Sequence, residues 1–402
     1  MSEIRQRAES SRQKKAVFGP DLNLEEFSRQ GGAWEYDPDY RGFSPEERSR
    51  LLTTGIELTD KDHAGTFLQA DRAIVHCQTR QPGVEVLPIT EALKRYDWVR
   101  EHLWRLVAVD ADKYTASAEL DLDNGYFIRA LPGAKIQQPV ESCLYLRTDR
   151  FAQHVHNLVV VEEGAELHLI TGCATHPGVI SGLHIGVSEF YVRAGGRLTF
   201  TMVHNWGENV HVRPRTGVLV EAGGRYISNY IMLRPVKSLQ MYPTVTLNGP
   251  DAVARMQSII IAHPGSELDV GGRVILKAPR TRAEIIARTI TTGGNSIARG
   301  HLVGLEPDIK AHLECRGLIL GKGMIYAVPE LEGRVAGVDM SHEAAVGKIA
   351  AEEVEYLMAR GLDEEEAVST IVRGFLKVKI EGLPAALEEE MDRVILETGK
   401  GL

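Results

Sequence analysis

The chain has 402 residues, 43% of them hydrophobic and 25% charged, and 55 acids against 46 bases give a formal net charge of -9. No apolar run approaches the length of a membrane span, and an acidic chain would have to hide a basic patch to bind nucleic acid, so neither a membrane nor a nucleic acid is an expected partner. The four cysteines, at 77, 143, 173 and 315, form no C-x-x-C pair, which argues against a disulfide framework or a closed structural zinc site.

The first residues, Met-Ser-Glu-Ile-Arg-Gln-Arg, mix acids with bases and offer no apolar signal segment, so the expected location is cytoplasmic. Residues 1–110 read as a mainly helical N-terminal region. Helices are expected at Asn23 to Arg29, Pro45 to Thr54 and Ile89 to Leu106. The last carries Leu93, Tyr96, Val99, Leu103 and Leu106 at spacings of three and four.

Residues 111–343 read as a β core. From about Gly125 short β-branched runs such as Leu158-Val-Val-Val161, Glu189-Phe-Tyr-Val192 and Ser258-Ile-Ile-Ile261 are separated by similar glycine turns. The first glycines of those turns, 164, 195, 223, 265 and 293, are 31, 28, 42 and 28 apart, with Gly249-Pro250 interrupting the long step. A period of about 28 residues predicts stacked coils, a β-solenoid. A β-sandwich would supply similar strands, but it would not need one glycine turn to recur so often.

Residues 344–402 read as helical again. Val354, Leu357 and Met358 share one side of a helix from Ile349 to Arg360, Gly361 supplies a left-handed stop, and Asp363 with Glu366 forms a capping box. Ala367, Ile371, Phe375 and Val378 continue a second stripe, and a third helix is expected from Pro384 to Glu397. These stripes serve either internal packing or the docking of a partner.

Cys315, between Glu314 and Arg316, is expected in a partly wet place where its thiolate is accessible, whereas Cys77 and Cys143 read as small buried hydrophobes. His342-Glu343 lies 27 positions after Cys315, about one coil, so thiol and imidazole are expected on neighbouring coils near one edge. A thiolate, an imidazole and a carboxylate together suit iron or a nascent iron-sulfur cluster. The alternative for His342-Glu343 is a helix N-cap with an acid compensating the dipole. Cys173 follows a strand, where a thiol could accept sulfur from a persulfide, and a buried structural role is the alternative. His154 and His156 alternate and so face one side of a strand, while His204-Asn-Trp206 reads as a packed corner without a catalytic role. Gly317 to Gly323 imitates a phosphate loop but is one residue short and lacks its hydroxyl, so no ATPase activity is expected of this chain.

Ser341-His-Glu-Ala-Ala-Val-Gly-Lys-Ile349, Tyr356-Leu-Met-Ala-Arg-Gly-Leu362, Glu364-Glu-Glu-Ala367 and Ile371-Val-Arg-Gly-Phe375 together resemble the SufB/SufD family, scaffold components of the SUF iron-sulfur assembly system. Weaker likeness runs back through Gly125-Tyr-Phe-Ile128, Gly172-Cys-Ala174 and Asn205-Trp206. The resemblance implies a right-handed parallel β-helix flanked by helical regions, a transient iron-sulfur cluster, and a SufC-type ATPase docked on the C-terminal helices. It implies that Cys315, His342 and Glu343 are cluster ligands, that Cys173 receives sulfur, and that Arg147 belongs to the sulfur path. It further implies a sulfur donor and cluster acceptor proteins as partners. The chain is shorter than typical bacterial SufB, mainly before the β-helix. It carries both the SufB-like cysteine and the shared histidine, so a homodimer scaffold that is not itself an enzyme is the expectation. The alternatives are a SufD-like supporting subunit without a cluster and a β-helix polysaccharide enzyme, which would need a carboxylate-lined groove.

Overall fold

The computed structural model describes residues 3–58, 63–376, 387–389 and 392–394. The polypeptide winds into a parallel β-solenoid of eight coils preceded by a mixed layer and followed by helices. Before the coils come α1 (Glu3–Ser10), α2 (Pro45–Leu52), β1 (Gly65–Ala70), β2 (Ala73–Thr79), β3 (Val84–Pro88), α3 (Ile89–Arg95), α4 (Asp97–His102) and α5 (Lys113–Leu120). The first four coils are β4 (Tyr126–Ala130) with β5 (Val140–Leu146), β6 (Ala152–Val161) with β7 (Glu166–Thr175), β8 (Gly182–Val192) with β9 (Arg197–Asn205), and β10 (Val210–Val212) and β11 (Arg215–Val220) with β12 (Arg225–Met232). The last four are β13 (Ser238–Met241) and β14 (Thr244–Leu247) with β15 (Val253–Ala262), β16 (Glu267–Leu276) with β17 (Arg282–Thr291), β18 (Asn295–Gly304) with β19 (Lys310–Ile319), and β20 (Met324–Gly333) with β21 (Asp339–Gly347). Helices α6 (Ala351–Met358) and α7 (Glu364–Leu376) follow.

Each coil contributes to two sheets, and successive coils pair in parallel. Val140 stands opposite Leu169, Arg197 opposite Arg225, and Lys310 opposite Asp339. Inward residues meet in one continuous core that runs from Ala64 to Cys315, with Ala327, Val338 and Met340 of the last coil, partly buried, packed against it. Stacking buries each inward face against the next, which is what holds a solenoid together.

One corner repeats in every coil. Gly133, Gly164, Gly195, Gly223, Asp251, Arg280, Asp308 and Gly337 all have φ between 58 and 85°. Their amides cross-link the turns, as where Gly164 N–H donates to Ala194 O at 2.9 Å and Gly195 N–H to Ala222 O at 2.8 Å. The corner needs a left-handed residue, and glycine meets that need without a Cβ penalty. Gly265 and Gly293 belong to the opposite corner, between β15 and β16 and between β17 and β18. The 42-residue step in the glycine pattern is therefore a change of corner, because the first corner passes to Asp251, Arg280 and Asp308, which glycine counting does not see.

The N-terminal region departs from the mainly helical expectation. Three strands occupy it: β1 pairs in parallel with β5, while β2 pairs antiparallel with β1 and β3 antiparallel with β4, so the region extends both sheets by a layer. The expected helix from Ile89 to Leu106 is broken at Tyr96, whose φ of -133° and ψ of 109° are extended, and Asn23 caps a short 3-10 turn, Leu24–Glu26. Helix α2 does form, with a Ser44–Glu47 capping box. Aromatic and aliphatic residues of this layer cover the outer faces of the first coils, where Ile89, Val99 and Leu103 pack on Phe127, Leu158 and Tyr191.

At the other end the C-terminal stops are as expected. Gly361 has φ of 98°. Asp363 Oδ1 accepts from Glu366 N at 2.8 Å while Glu366 Oε2 accepts from Asp363 N at 3.1 Å. Val372 and Leu376 of α7 pack on Val203, Ile231, Ile259 and Ile290 of the outer sheet face. Helix α6 buries no residue, and Tyr356 and Met358 are exposed. Most of the third expected helix, Pro384 to Glu397, and Val378 lie outside the described residues. No described helix is long and apolar enough to cross a membrane.

Candidate functional site at the open end of the solenoid

Strand order explains why the site lies where it does. Among the described residues β21 pairs only with β19 and β20 only with β18, so the last coil has no successor. Met324, Tyr326, Leu331, Val335 and Val346 of this coil are all exposed, and of these Leu331 and Val346 stand in register with the core residues Leu302 and, through Gly317 and Thr289, Ile260. The edge of β20 carries Pro329, Glu330 and Glu332, residues that oppose further pairing, whereas β21 ends in Ala344-Ala-Val-Gly347.

Cys315 is in the middle of β19 and His342 is in β21, not at a helix N-terminus, which removes the capping alternative for His342-Glu343. Parallel partners share a face. His342 stands opposite Leu313 and Cys315 opposite Ala344, and Leu313 and Cys315 both belong to the interior core. Cys315 and His342 therefore face inward on adjacent strands, one pleat apart. His342 Nε2 is buried and has no hydrogen-bond partner among the described residues.

Glu343 is parted from them. It stands opposite Glu314, on the outer face, where Arg316 reaches it at 2.8 Å. The expected trio is thus split by the sheet itself, with Cys315 and His342 inside and Glu343 outside.

Cys315 is less wet than its charged neighbours suggested. It is 2% exposed, and burial, with a smaller contribution from Glu314, pushes its thiol up to about 11. The flanking Glu314 and Arg316 point the other way, so they do not hydrate the sulfur. In this chain alone Cys315 is a protonated thiol at neutral pH.

Cys173 in β7 also faces the interior, fully buried, and burial raises its thiol well above the usual range. The two cysteines do not meet. Cys173 begins a column that continues through His204, Met232, Ile260 and Thr289, and the neighbouring column runs Met202, Tyr230, Ser258, Ala287 and Cys315. Five strand spacings separate β7 from β19, about 24 Å at about 4.8 Å per step. An internal cavity of about 60 Å³ lies along this stretch, lined by Met202, Tyr230, Ser258, Ile260, Ala287 and Thr289.

The packed corner expected at His204-Asn-Trp206 is present and lies beside Cys173. His204 Nδ1 is 2.8 Å from the Tyr230 hydroxyl, and Trp206 is edge-on to His204 at 5.4 Å. Burial holds the imidazole well below its usual range, hence neutral.

Arg147 lies on the other face from Cys173. It pairs with the buried Glu47 at 2.9 Å and stacks over Trp34 at 4.2 Å, fastening the N-terminal layer rather than lining the interior columns. His154 and His156 share a face as expected but answer to different partners. Ser117 Oγ is 2.7 Å from His154 Nε2, and Glu189 Oε2 is 2.8 Å from His156 Nε2. Cys143 is buried and Cys77 half-buried, and burial pushes the Cys77 thiol up to about 12.

Sequence reading did not single out His312, the outward neighbour that shares the Glu314–Glu343 face; the alternation His312-x-Glu314 followed one coil later by Ser341-x-Glu343 was the available signal.

Comparison with known proteins agrees with this architecture. Residues 144–375 match the family model described as "SUF system FeS cluster assembly, SufBD core domain". The chain is 50% identical over 350 residues to an iron-sulfur cluster assembly SufBD family protein of Archaeoglobus fulgidus, covering 87% of this chain and 94% of that one. A SufBD family protein of Methanothermobacter thermautotrophicus is 46% identical over 403 residues, 98% of each chain. The iron-sulfur cluster assembly protein SufB of Bacillus subtilis is 29% identical over 400 residues, 94% of this chain and 84% of its own length.

Proposed function

The chain belongs to the SufBD family of the SUF iron-sulfur cluster assembly system, and from that premise we propose that it is the scaffold subunit on which a nascent cluster is built and from which it is passed on. The observation that carries this reading is the inward pairing of Cys315 and His342 on adjacent strands at the uncovered end of the solenoid. A thiolate and an imidazole supply soft and borderline donors for iron, and an incomplete ligand set lets the cluster leave.

The remaining ligands come from a second copy. The edge of β21, which no described strand covers, and the exposed Leu331 and Val346 are the surface that a second copy would pack on across a two-fold axis. In such a homodimer two sites form at one interface. Glu343, on the outer face of the same edge strand, reaches the cluster only where the two edges meet.

Cys173 accepts sulfur from a donor protein. About 24 Å of interior column then separates it from Cys315, too far for direct thiol exchange, so the outer sulfur of a Cys173 persulfide reaches Cys315 only after a dithiol reductant releases it as sulfide, the reductant becoming a disulfide and Cys173 returning to the thiol. Arg147, held by Glu47, keeps the N-terminal layer closed over the strand next to that of Cys173 and serves the path only through this packing.

ATP hydrolysis belongs to a separate SufC-type subunit docked on the C-terminal region. The uncovered α6 with Tyr356 and Met358 is the surface for it, and α7, packed on the outer sheet, transmits the movement. Opening the interface lets water reach Cys315 and brings its thiol down toward ordinary reactivity.

One observation favours the second reading, a SufD-like supporting subunit: Cys315 as it stands is buried and protonated. Anaerobic reconstitution with iron and sulfide, in the presence of the ATPase subunit, separates the two. The wild-type chain should develop cluster absorbance and Cys315→Ala should develop none. Full absorbance in Cys315→Ala would assign the chain the supporting role.

A further inference from the structure

The outer face of the last two coils carries a set of donors distinct from the interior thiol. His312, Glu314 and Glu343 each place a ligand atom within 4.8 Å of the others, the one such group of three among the described residues. Glu314 and Glu343 stand opposite each other on β19 and β21, and His312 stands opposite Ser341. Strand register alone fixes this triangle, because outward residues two apart on one strand meet their partners on the next.

The imidazole is already oriented. His312 Nδ1 is 2.8 Å from Ser341 Oγ, and in the tautomer in which Nδ1 donates to that hydroxyl the Nε2 lone pair is free for a metal. The carboxylates are charge-balanced by two arginines that converge on single oxygens. Arg288 reaches Glu314 Oε1 at 2.6 Å, and Arg316 reaches Glu314 Oε1 at 3.4 Å and Glu343 Oε1 at 2.8 Å. In each of these pairs the closest approach is to an Oε1 atom. The two arginines differ in freedom: the Arg288 side chain is 14% exposed, that of Arg316 39%. Arg316 can withdraw into solvent.

We infer that His312, Glu314 and Glu343 form a ferrous-iron site on the outer face of the sheet, with Arg316 as the counter-ion that the metal displaces. One nitrogen and two carboxylate oxygens, with water in the remaining positions, are a donor set for a divalent transition metal, and the imidazole biases it against magnesium and calcium. No thiolate takes part, because Cys315 is on the other side of the sheet. Arg316 keeps affinity low enough for release. The role rests on the scaffold reading above: iron waits outside, sulfur arrives inside, and the two meet around the free edge of β21, where Glu343 is common to both.

The test is an anaerobic titration of the full chain with Co²⁺ as the probe for ferrous iron, without sulfide, read by visible absorption and by metal retained after gel filtration. The wild-type chain is expected to bind one Co²⁺ with the weak bands of oxygen and nitrogen ligation and no thiolate charge-transfer band. Cys315→Ala should bind equally well. His312→Gln should bind about 10- to 100-fold more weakly, and Ser341→Ala, an exposed change that leaves the ligands in place, should lose part of the affinity. Arg316→Gln should bind several-fold more tightly, an effect that damage to the fold would not produce. Unchanged binding in His312→Gln, weaker binding in Arg316→Gln, or loss of the metal in Cys315→Ala would overturn the site. Because no cluster forms in this titration, loss of Co²⁺ in His312→Gln supports the site even if reconstitution of Cys315→Ala contradicts the scaffold reading.

Discussion

The first coil of the solenoid and the last are built on the same repeat but finished differently. At the N-terminal end β1 is buried along its whole length between β2 and β5, and helices cover the outer faces. At the C-terminal end β20 and β21 are mostly exposed, with apolar side chains in the open and an edge that no described strand covers. A sealed end gives the stack a fixed start. An open end is costly in isolation and useful only where another surface completes it, and Cys315 and His342 are placed there.

The difference can be broken most strongly from the closed side. Phe190 is fully buried in the third coil, edge-on to Phe200 at 4.9 Å. Phe190→Ala should destabilise the chain by about 3–5 kcal/mol in denaturant unfolding, whereas Val346→Ala at the open end should change it by less than about 0.5 kcal/mol. Equal losses would mean that the last coil is as well packed as the third.

A smaller effect comes from pH. Glu141, under the N-terminal layer, accepts from Glu57 N at 3.2 Å, and burial raises its carboxyl from 4.5 to about 8. The unfolded chain releases this proton near pH 4.5 and the folded chain near pH 8, so the unfolded state holds fewer protons in that window. Stability is therefore highest below pH 4.5 for this group and falls as pH rises toward 8. Urea midpoints measured across the window should decline in the wild type and decline less in Glu141→Gln; parallel profiles would show that Glu141 is not the origin.

The smallest effect on folding carries the largest effect on assembly. Val346→Lys should leave the unfolding midpoint within about 0.5 kcal/mol of wild type and abolish self-association measured by light scattering. A mutant that still dimerises would place the second copy elsewhere.

Much of this molecule is legible in its sequence because the signals are local. Gly361, Asp363 and Glu366 mark a helix stop and start within six residues, and they behave as their chemistry requires. The corner glycines at 164, 195 and 223 announce the coil length because a left-handed turn without a Cβ is a local need. The strands at 65–88 are illegible for the opposite reason: Gly65 finds its parallel partner at Val140, and nothing near it in the chain records that pairing. Arg280 shows a further limit, since an arginine with φ of 59° occupies a corner that sequence reserves for glycine, held by its stacked neighbours.

Sequence by itself determined that the chain is a stack of coils and that Cys315 and His342 come within one coil of each other. It did not determine which way they point. Side chains in a strand alternate, so the face of His342 relative to Cys315 depends on whether the local coil advances by an odd or an even number of residues. Lys310 pairs with Asp339, an advance of 29, and this sets His342 beside the interior Leu313 and sends Glu343 outside with Glu314. An advance of 28, as between Arg282 and Lys310 one coil earlier, would have exchanged them. One residue of coil length, fixed only by the packing of β19 against β21, separates the thiol and imidazole inside from the carboxylates outside.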